Sequence, residues 1–148
     1  MDADSWEELF VIYFRIPGKA VGKGRPRFTK NGHTFTPDST REYEELVRAM
    51  YRQKYKGKPT SEPITVNINV YTAPAKSLSK KKRADLLSRA PMKKPDLDNV
   101  AKIILDALNK VAWHDDTQVT ALSVRRVWSD EEYVCVTIMT DDELIRRE

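Results

Sequence analysis

A single cysteine, Cys135, leaves this chain of 148 residues without an internal disulfide framework and points to a reducing compartment, the cytoplasm. Only two histidines are present, His33 and His114, and no Cys/His cluster surrounds them, which argues against a zinc site. No run approaches the ~18–20 apolar residues of a membrane span, and the opening Met1-Asp2-Ala3-Asp4 is acidic, without a signal-peptide pattern. Glycine is scarce, and three of the five glycines (Gly18, Gly22, Gly24) fall close together. That segment lacks the Walker spacing with its terminal Lys-Ser/Thr, so a nucleotide-binding loop and a nucleotide cofactor are not expected.

What is present is charge. The hydrophobic share of 40% and the charged share of 32% describe a globular chain, of a length that suits one domain over residues 1–148, with 1–7 and 141–148 as peripheral ends. Lys and Arg number 26 against 22 Asp and Glu, giving a formal charge of +4, which permits a polyanionic partner. The basic residues gather in three places: Lys19, Lys23, Arg25, Arg27 and Lys30; Lys80, Lys81, Lys82 and Arg83; and Lys93 with Lys94.

Residues 9–16 (Leu-Phe-Val-Ile-Tyr-Phe-Arg-Ile) read as a largely buried strand closed by Pro17-Gly18. Arg27-Phe28-Thr29 and His33-Thr34-Phe35 flank Asn31-Gly32, a hairpin signal. Thr36 before Pro37 reads as a helix N-cap, and Tyr43, Leu46, Val47, Met50 and Tyr51 keep a helical stripe through residues 37–55. Residues 64–71 alternate as a half-buried strand, and residues 79–89 suit a short basic helix. A second long helix is expected over 99–111, followed by strands at 118–127 and 133–139 joined around Ser129-Asp130-Glu131. The order suggests an α+β single domain, a mostly antiparallel or mixed sheet packed by two long helices.

Carboxylates concentrate at both ends of the second helix. Lys93-Lys94-Pro95-Asp96-Leu97-Asp98-Asn99 opens it, and Trp113-His114-Asp115-Asp116 follows it. Asp98 suits a helix N-cap. Asp96 is not needed for that cap, and Asp-x-Asp in an extended segment sends both carboxylates to one side. Lys102, one turn past Asp98, is placed either for i,i+4 pairs with Asp98 and Asp106 or to stabilise charge developing on phosphorus or a leaving oxygen. Asp115-Asp116 reads either as an acidic turn or as a carboxylate held beside a strand. Carboxylates without Cys or His suit a hard cation, Mg²⁺ with Mn²⁺ as a substitute. In basic surroundings the chemistry expected is metal-assisted attack of water on a phosphodiester.

Lys94-Pro95-Asp96-Leu97-Asp98-Asn99, then Lys102, then Leu105-Asp106-Ala107-Leu108-Asn109, then Trp113-His114-Asp115-Asp116-Thr117-Gln118-Val119 resembles the RusA family of Holliday junction resolvases, the crossover junction endodeoxyribonucleases. Gly22-Lys23-Gly24-Arg25-Pro26-Arg27 is similar to the amino-terminal motif of many bacterial and phage members, and the resemblance covers roughly residues 8–140. It implies a RusA-like, homodimeric, magnesium-dependent endonuclease, bacterial or phage-encoded, that cuts four-way DNA junctions by paired nicks in recombination and repair. Carried over, Asp96, Asp98 and Asp116 would bind the metal, Lys102 would be the catalytic lysine, and Asp115 would be an adjacent acidic residue. Two departures, Lys-Pro before the first aspartate in place of consecutive arginines and a longer basic glycine segment, bear on junction preference more than on nicking.

A helix over 99–111 is about 20 Å long, so Asp98 and Asp116 start at opposite ends of a rod. Either that helix is shorter or bent, or the site is completed across a dimer. Lys23, Arg25, Arg27 and Lys30, on a flexible arm and hairpin, are expected on DNA phosphates together with Lys93 and Lys94. Phe28 and Phe35 either stack on unpaired bases or pack in the core, the second being expected of at least one. Lys80 to Arg83 reads either as a solvated helix face or as a source of further phosphate contacts, the first being expected. Two rival functions stand beside the resolvase: a broader flap or fork nuclease, and a non-catalytic module that binds branched DNA.

Overall fold

A computed structural model describes residues 11–25 and 27–140, with the backbone alone at Arg27 and Phe35. The peripheral ends expected at 1–7 and 141–148, and the first two residues of the expected opening strand, lie outside the described residues.

Ten elements follow in order: β1 (Val11–Pro17), β2 (Arg27–Phe28), β3 (Thr34–Phe35), α1 (Asp38–Lys54), β4 (Ile64–Thr72), α2 (Lys80–Leu87), α3 (Leu97–Leu108), a 3-10 turn (Asp116–Gln118), β5 (Val119–Trp128) and β6 (Tyr133–Thr140). The main sheet runs β1-β6-β4-β5. β6 is antiparallel to both neighbours, whereas β4 and β5 are parallel. The fold is thus α+β with a mixed sheet, and β5 and β6, consecutive in sequence, are separated by β4. Their connection crosses the end of β4, where the Ser129 amide donates to the Thr72 carbonyl at 2.9 Å.

The alternation read in β4 holds: Ile64, Val66, Ile68 and Val70 point into the core. Val134, Val136 and Ile138 join them from β6, and Ile12, Phe14 and Ile16 from β1. Both long helices cover this one face. Tyr43, Val47 and Tyr51 of α1 and Val100, Ile103, Ile104 and Leu108 of α3 are buried against it. β1 differs from the largely buried strand expected. It is an edge strand with only one face covered, and Val11 and Tyr13 are exposed on the other. An apolar run of strand length does not distinguish burial on one face from burial on two.

The hairpin forms at Asn31-Gly32, its strands pairing Arg27 with Phe35 and Phe28 with Thr34. α1 starts one residue later than expected, with extended Pro37 as its N-cap instead of Thr36. The Pro37 carbonyl accepts from the amides of Thr40 and Arg41, which is what the cap position requires of a backbone. The basic helix is α2, capped by the Ser79 hydroxyl accepting from the Lys82 amide at 3.3 Å, and none of its residues is buried.

Candidate active site

α3 begins at Leu97, two residues earlier than the sequence suggested, and ends at Leu108, three residues earlier. Its N-cap is therefore Asp96, not Asp98. The Asp96 carbonyl takes the amides of Asn99 and Val100, both at 3.1 Å, while its side chain makes no capping bond. Because the backbone alone starts the helix, neither carboxylate is consumed by capping. Asp96 faces Lys94 at 3.6 Å, but both groups are well exposed, and such pairs contribute little. Asp98 and Lys102 are exposed, and neither makes an ion pair or side-chain hydrogen bond among the described residues. The i,i+4 pairs considered for Lys102 do not form.

Asp106 is occupied elsewhere. The ammonium of Lys23 lies 2.7 Å from Glu44 on α1 and 3.1 Å from Asp106 on α3. Burial pulls the Lys23 pKa down, but the hydrogen bonds and charges of Glu44 and Asp106 outweigh it and hold the group above the ordinary lysine range. Lys23 was expected on a DNA phosphate; here its charge is already matched by two carboxylates.

The glycine segment, expected as a flexible arm, is strapped down between the helices. A Cβ on Gly22 would come within 2.9 Å of the Pro95 Cβ and 3.1 Å of the Asn99 Cβ, and one on Gly24 would reach the Thr40 hydroxyl at 2.7 Å. Only glycine permits both approaches. They let the Lys23 amide donate to the Asn99 carbonyl at 3.0 Å and the Gly24 amide donate to the Thr40 hydroxyl at 3.1 Å. The glycines therefore position the start of α3. Arg25 and Lys30 remain exposed, and the Arg27 side chain lies outside the description.

From the other side, the Arg126 guanidinium on β5 donates to the Pro95 carbonyl. A hollow of about 480 Å³, lined by Met92, Lys93, Lys94, Asp96, Leu97 and Arg126 among others, opens at this corner. Arg126 had no place in the sequence reading, since its proximity to Pro95 depends on how β5 packs beside α3.

Asp116 is held quite differently. It is half-buried, and the indole N–H of fully buried Trp113 donates to its Oδ1 at 2.8 Å. Gln118 secures the turn: its Oε1 accepts from the amides of His114 (2.8 Å) and Asp115 (2.9 Å), and its Nε2 donates to the carbonyls of Thr60 (2.8 Å) and Glu62 (3.0 Å). Asp115 accepts from the Thr117 hydroxyl at 3.1 Å and caps the 3-10 turn. In Asp-Asp-x-Gln, then, the first aspartate shapes the turn, the second is presented on it, and the glutamine anchors it. Trp113 and Gln118 were visible in the motif, yet spacing alone gave them no role.

The three aspartates do not meet within one chain. α3 spans about 18 Å at its ordinary rise. Pro95 lies beside Arg126, whereas Asp116 precedes Val119 at the opposite end of β5, about 23 Å away by the rise of a strand. Among the described residues no three His, Cys, Asp or Glu side chains cluster as a metal site. Shortening α3 by one residue does not close the gap. The donor chemistry nevertheless suits a hard cation: exposed carboxylates at one end, and at the other a carboxylate with one oxygen tethered by Trp113.

A family model described as endodeoxyribonuclease RusA matches residues 17–139. An uncharacterized protein of Bacillus subtilis (strain 168), YqaN, is 34% identical over 134 residues, covering 86% of this chain and 94% of its own length.

Proposed function

The chain belongs to the RusA family of endodeoxyribonucleases, and from that premise we propose that it resolves four-way DNA junctions by hydrolysing paired phosphodiesters with Mg²⁺, Mn²⁺ serving as a substitute. The observation that carries this reading is the uncommitted state of Asp98 and Lys102, one turn apart on an exposed helix start. Among the described residues nothing occupies either group, so both are free to meet a metal ion and a phosphate. Asp96, Asp98 and Asp116 are the metal ligands. When bound, the cation lowers the pKa of a water and polarises the phosphodiester.

The remaining roles belong to the chain itself. Lys102 offsets negative charge as it develops on the leaving 3′-oxygen; water adds to phosphorus, the bond to that oxygen breaks and the oxygen takes up a proton, which leaves 5′-phosphate and 3′-hydroxyl ends. Trp113 and Gln118 fix where the Asp116 carboxylate points. Arg25, Arg27, Lys30, Lys93 and Lys94 hold phosphates, while Lys23 holds the glycine segment in place. Phe28, expected in the core if Phe35 was not, is 76% exposed on the hairpin, a position suited to stacking on unpaired bases. The Phe35 side chain lies outside the described residues.

Because Asp96/Asp98 and Asp116 occupy opposite ends of α3 and β5, the working enzyme is a homodimer whose partner supplies the missing arm. A second copy laid antiparallel along α3 and β5 exchanges those ends. β5 is an edge strand with Leu122 45% exposed, which suits such an approach. No described helix is long and apolar enough to cross a membrane, and the proposed address is the cytoplasm of a bacterium.

The test is cleavage of a synthetic four-way junction, a flap and a linear duplex, each with and without Mg²⁺. Symmetric nicks in the junction, dependent on Mg²⁺ and lost in Asp98→Asn while DNA binding persists, are expected. Equal cutting of all three substrates would replace the resolvase by a broader branched-DNA nuclease, and binding without any product would leave a binding module. Mixing Asp98→Asn with Asp116→Asn restores one intact site per heterodimer if the site is shared. If the mixture stays inactive while heterodimers form, the shared site is wrong.

A further inference from the structure

The basic character of this protein is concentrated in one excursion. Between residues 76 and 94 the chain carries eight Lys and Arg (Lys76, Lys80, Lys81, Lys82, Arg83, Arg89, Lys93, Lys94) and one carboxylate, Asp85. The formal charge of the whole chain is +4, so everything outside this excursion is net negative. α2 forms its middle. No residue of α2 is buried, and residues 81–90 are exposed without interruption. Lys76, Lys80, Lys81, Lys82, Arg83 and Arg89 make no ion pair among the described residues. A solvated helix face accounts for the exposure. It does not account for gathering the surplus charge of the molecule there.

Nor is the excursion loosely attached. The Lys93 ammonium donates to the Ala73 carbonyl at 3.0 Å, closing its neck, and it lies 5.8 Å from the centre of the Trp128 ring. The indole N–H of Trp128 donates to the Arg89 carbonyl at 2.7 Å. Leu86, Met92 and Trp128 share a hollow of about 320 Å³ beneath the helix. The neck opens directly into Lys94-Pro95-Asp96. α2 is therefore carried on a tethered base next to the Asp96/Asp98 end of the candidate active site.

We propose that α2 is an outrigger that grips the phosphates of a duplex arm leading away from the scissile bond. Lys80, Lys81 and Arg83 supply the grip, Lys82 on the side of the hollow adds its charge to the field, and Trp128 sets the distance between helix and site. This rests on the nuclease reading for its substrate, but the grip is measurable without catalysis. A duplex is favoured over a single strand because the contacts offered are cationic, whereas α2 itself presents no aromatic side chain on which bases could stack. Substrate selectivity would then depend on arm length as well as on the branch point.

The experiment joins Lys80→Gln, Lys81→Gln, Lys82→Gln and Arg83→Gln in the full chain. Lys54→Gln, Lys56→Gln and Lys58→Gln, three exposed lysines at the end of α1 and just beyond it, form the control. Binding is measured without Mg²⁺, in an Asp98→Asn background, on junctions with short and long arms across a salt series. The α2 variant should lose about ten-fold or more in affinity for long-armed junctions, and its log–log salt slope should flatten by roughly 2–4 units. It should lose little on short-armed junctions, while single-turnover nicking at saturating DNA, measured with Asp98 intact, stays unchanged. An unchanged slope, an equal loss in the control, or a loss independent of arm length overturns the proposal. So does a wild-type protein whose α2 lysines are needed for anionic lipid vesicles and not for DNA. Absence of nicking in every variant would sink the nuclease reading and leave the grip measurement standing.

Discussion

The two ends of α3 carry carboxylates in opposite physical states. At its start, Asp98 and Lys102 are exposed and bonded to nothing among the described residues, on a helix that begins without their help. Beyond its end, Asp116 is half-buried, tethered by Trp113 and set on a turn that Gln118 fastens with four hydrogen bonds. One end costs the fold little and is free to meet a ligand. The other is preorganised, and its geometry is part of the stability of the molecule. Substitutions at the first end should therefore change chemistry alone, and those at the second should change chemistry and stability together.

The largest effect separates the ends most sharply. Asp98→Asn, Lys102→Ala and Asp116→Asn should each reduce nicking by about 10²–10³-fold or more, read from single-turnover rates. At the α3 start, unfolding free energy should stay within about 0.5 kcal/mol of wild type, as for surface positions without partners. A large stability loss in Lys102→Ala would show that the lysine is a structural residue.

Gln118→Ala comes next. It removes two acceptor bonds and two donor bonds, strands the carbonyls of Thr60 and Glu62, and should cost about 2–4 kcal/mol in denaturant unfolding. Nicking should fall with it, since Asp116 loses its platform. Full activity in a destabilised Gln118→Ala protein would break the link between anchor and carboxylate. Trp113→Phe is gentler: the core stays largely filled, but the indole N–H that orients Asp116 is gone. Loss of such an orienting partner typically reduces metal affinity or activity about 10–100-fold, so Mg²⁺ titrations of nicking should shift while the Asp98 end is untouched.

The smallest effect is a control drawn from the core beneath both ends. The hydroxyls of Tyr43 and Tyr51 are buried without hydrogen-bond partners among the described residues, and burial raises both phenol pKa values well above the ordinary 10.0. The folded protein therefore holds these protons more tightly than the unfolded chain does. Their contribution to stability is fully present below about pH 10 and is lost as pH rises through the raised values. Tyr43→Phe should be within about 1 kcal/mol of wild type at neutral pH and should flatten the alkaline fall in stability. A steeper fall would mean that the hydroxyl has a partner in solution.

How much of this was legible beforehand varied with the range of the interaction. β4 announced itself by alternation, α3 by its apolar stripe, and the hairpin by Asn31-Gly32, because each signal lies within a few residues. The N-caps were misplaced by one or two positions at Thr36 and Asp98, since a backbone carbonyl can start a helix whether or not a good capping side chain stands next to it. The glycine segment was read as a mobile phosphate arm because sequence shows small residues among cations. It does not show that Pro95, Asn99 and Thr40 crowd the places where their side chains would be. The pairing of Lys23 with Glu44 and Asp106 is hidden for the same reason, as both carboxylates lie far from it along the chain.

By itself, the sequence determined the family, the places where carboxylates gather and the periodicity of the elements, all of which are written in residue type and local spacing. It also determined that the aspartates fall into two groups with a helix between them. Only the tertiary structure decided that β5 lies parallel to β4, that Arg126 reaches Pro95, and that Trp113 and Gln118 hold Asp116 while no described residue holds Asp98. Hydrogen bonds between distant segments depend on how elements pack, and packing is a property of the whole core, which no short stretch of residues encodes.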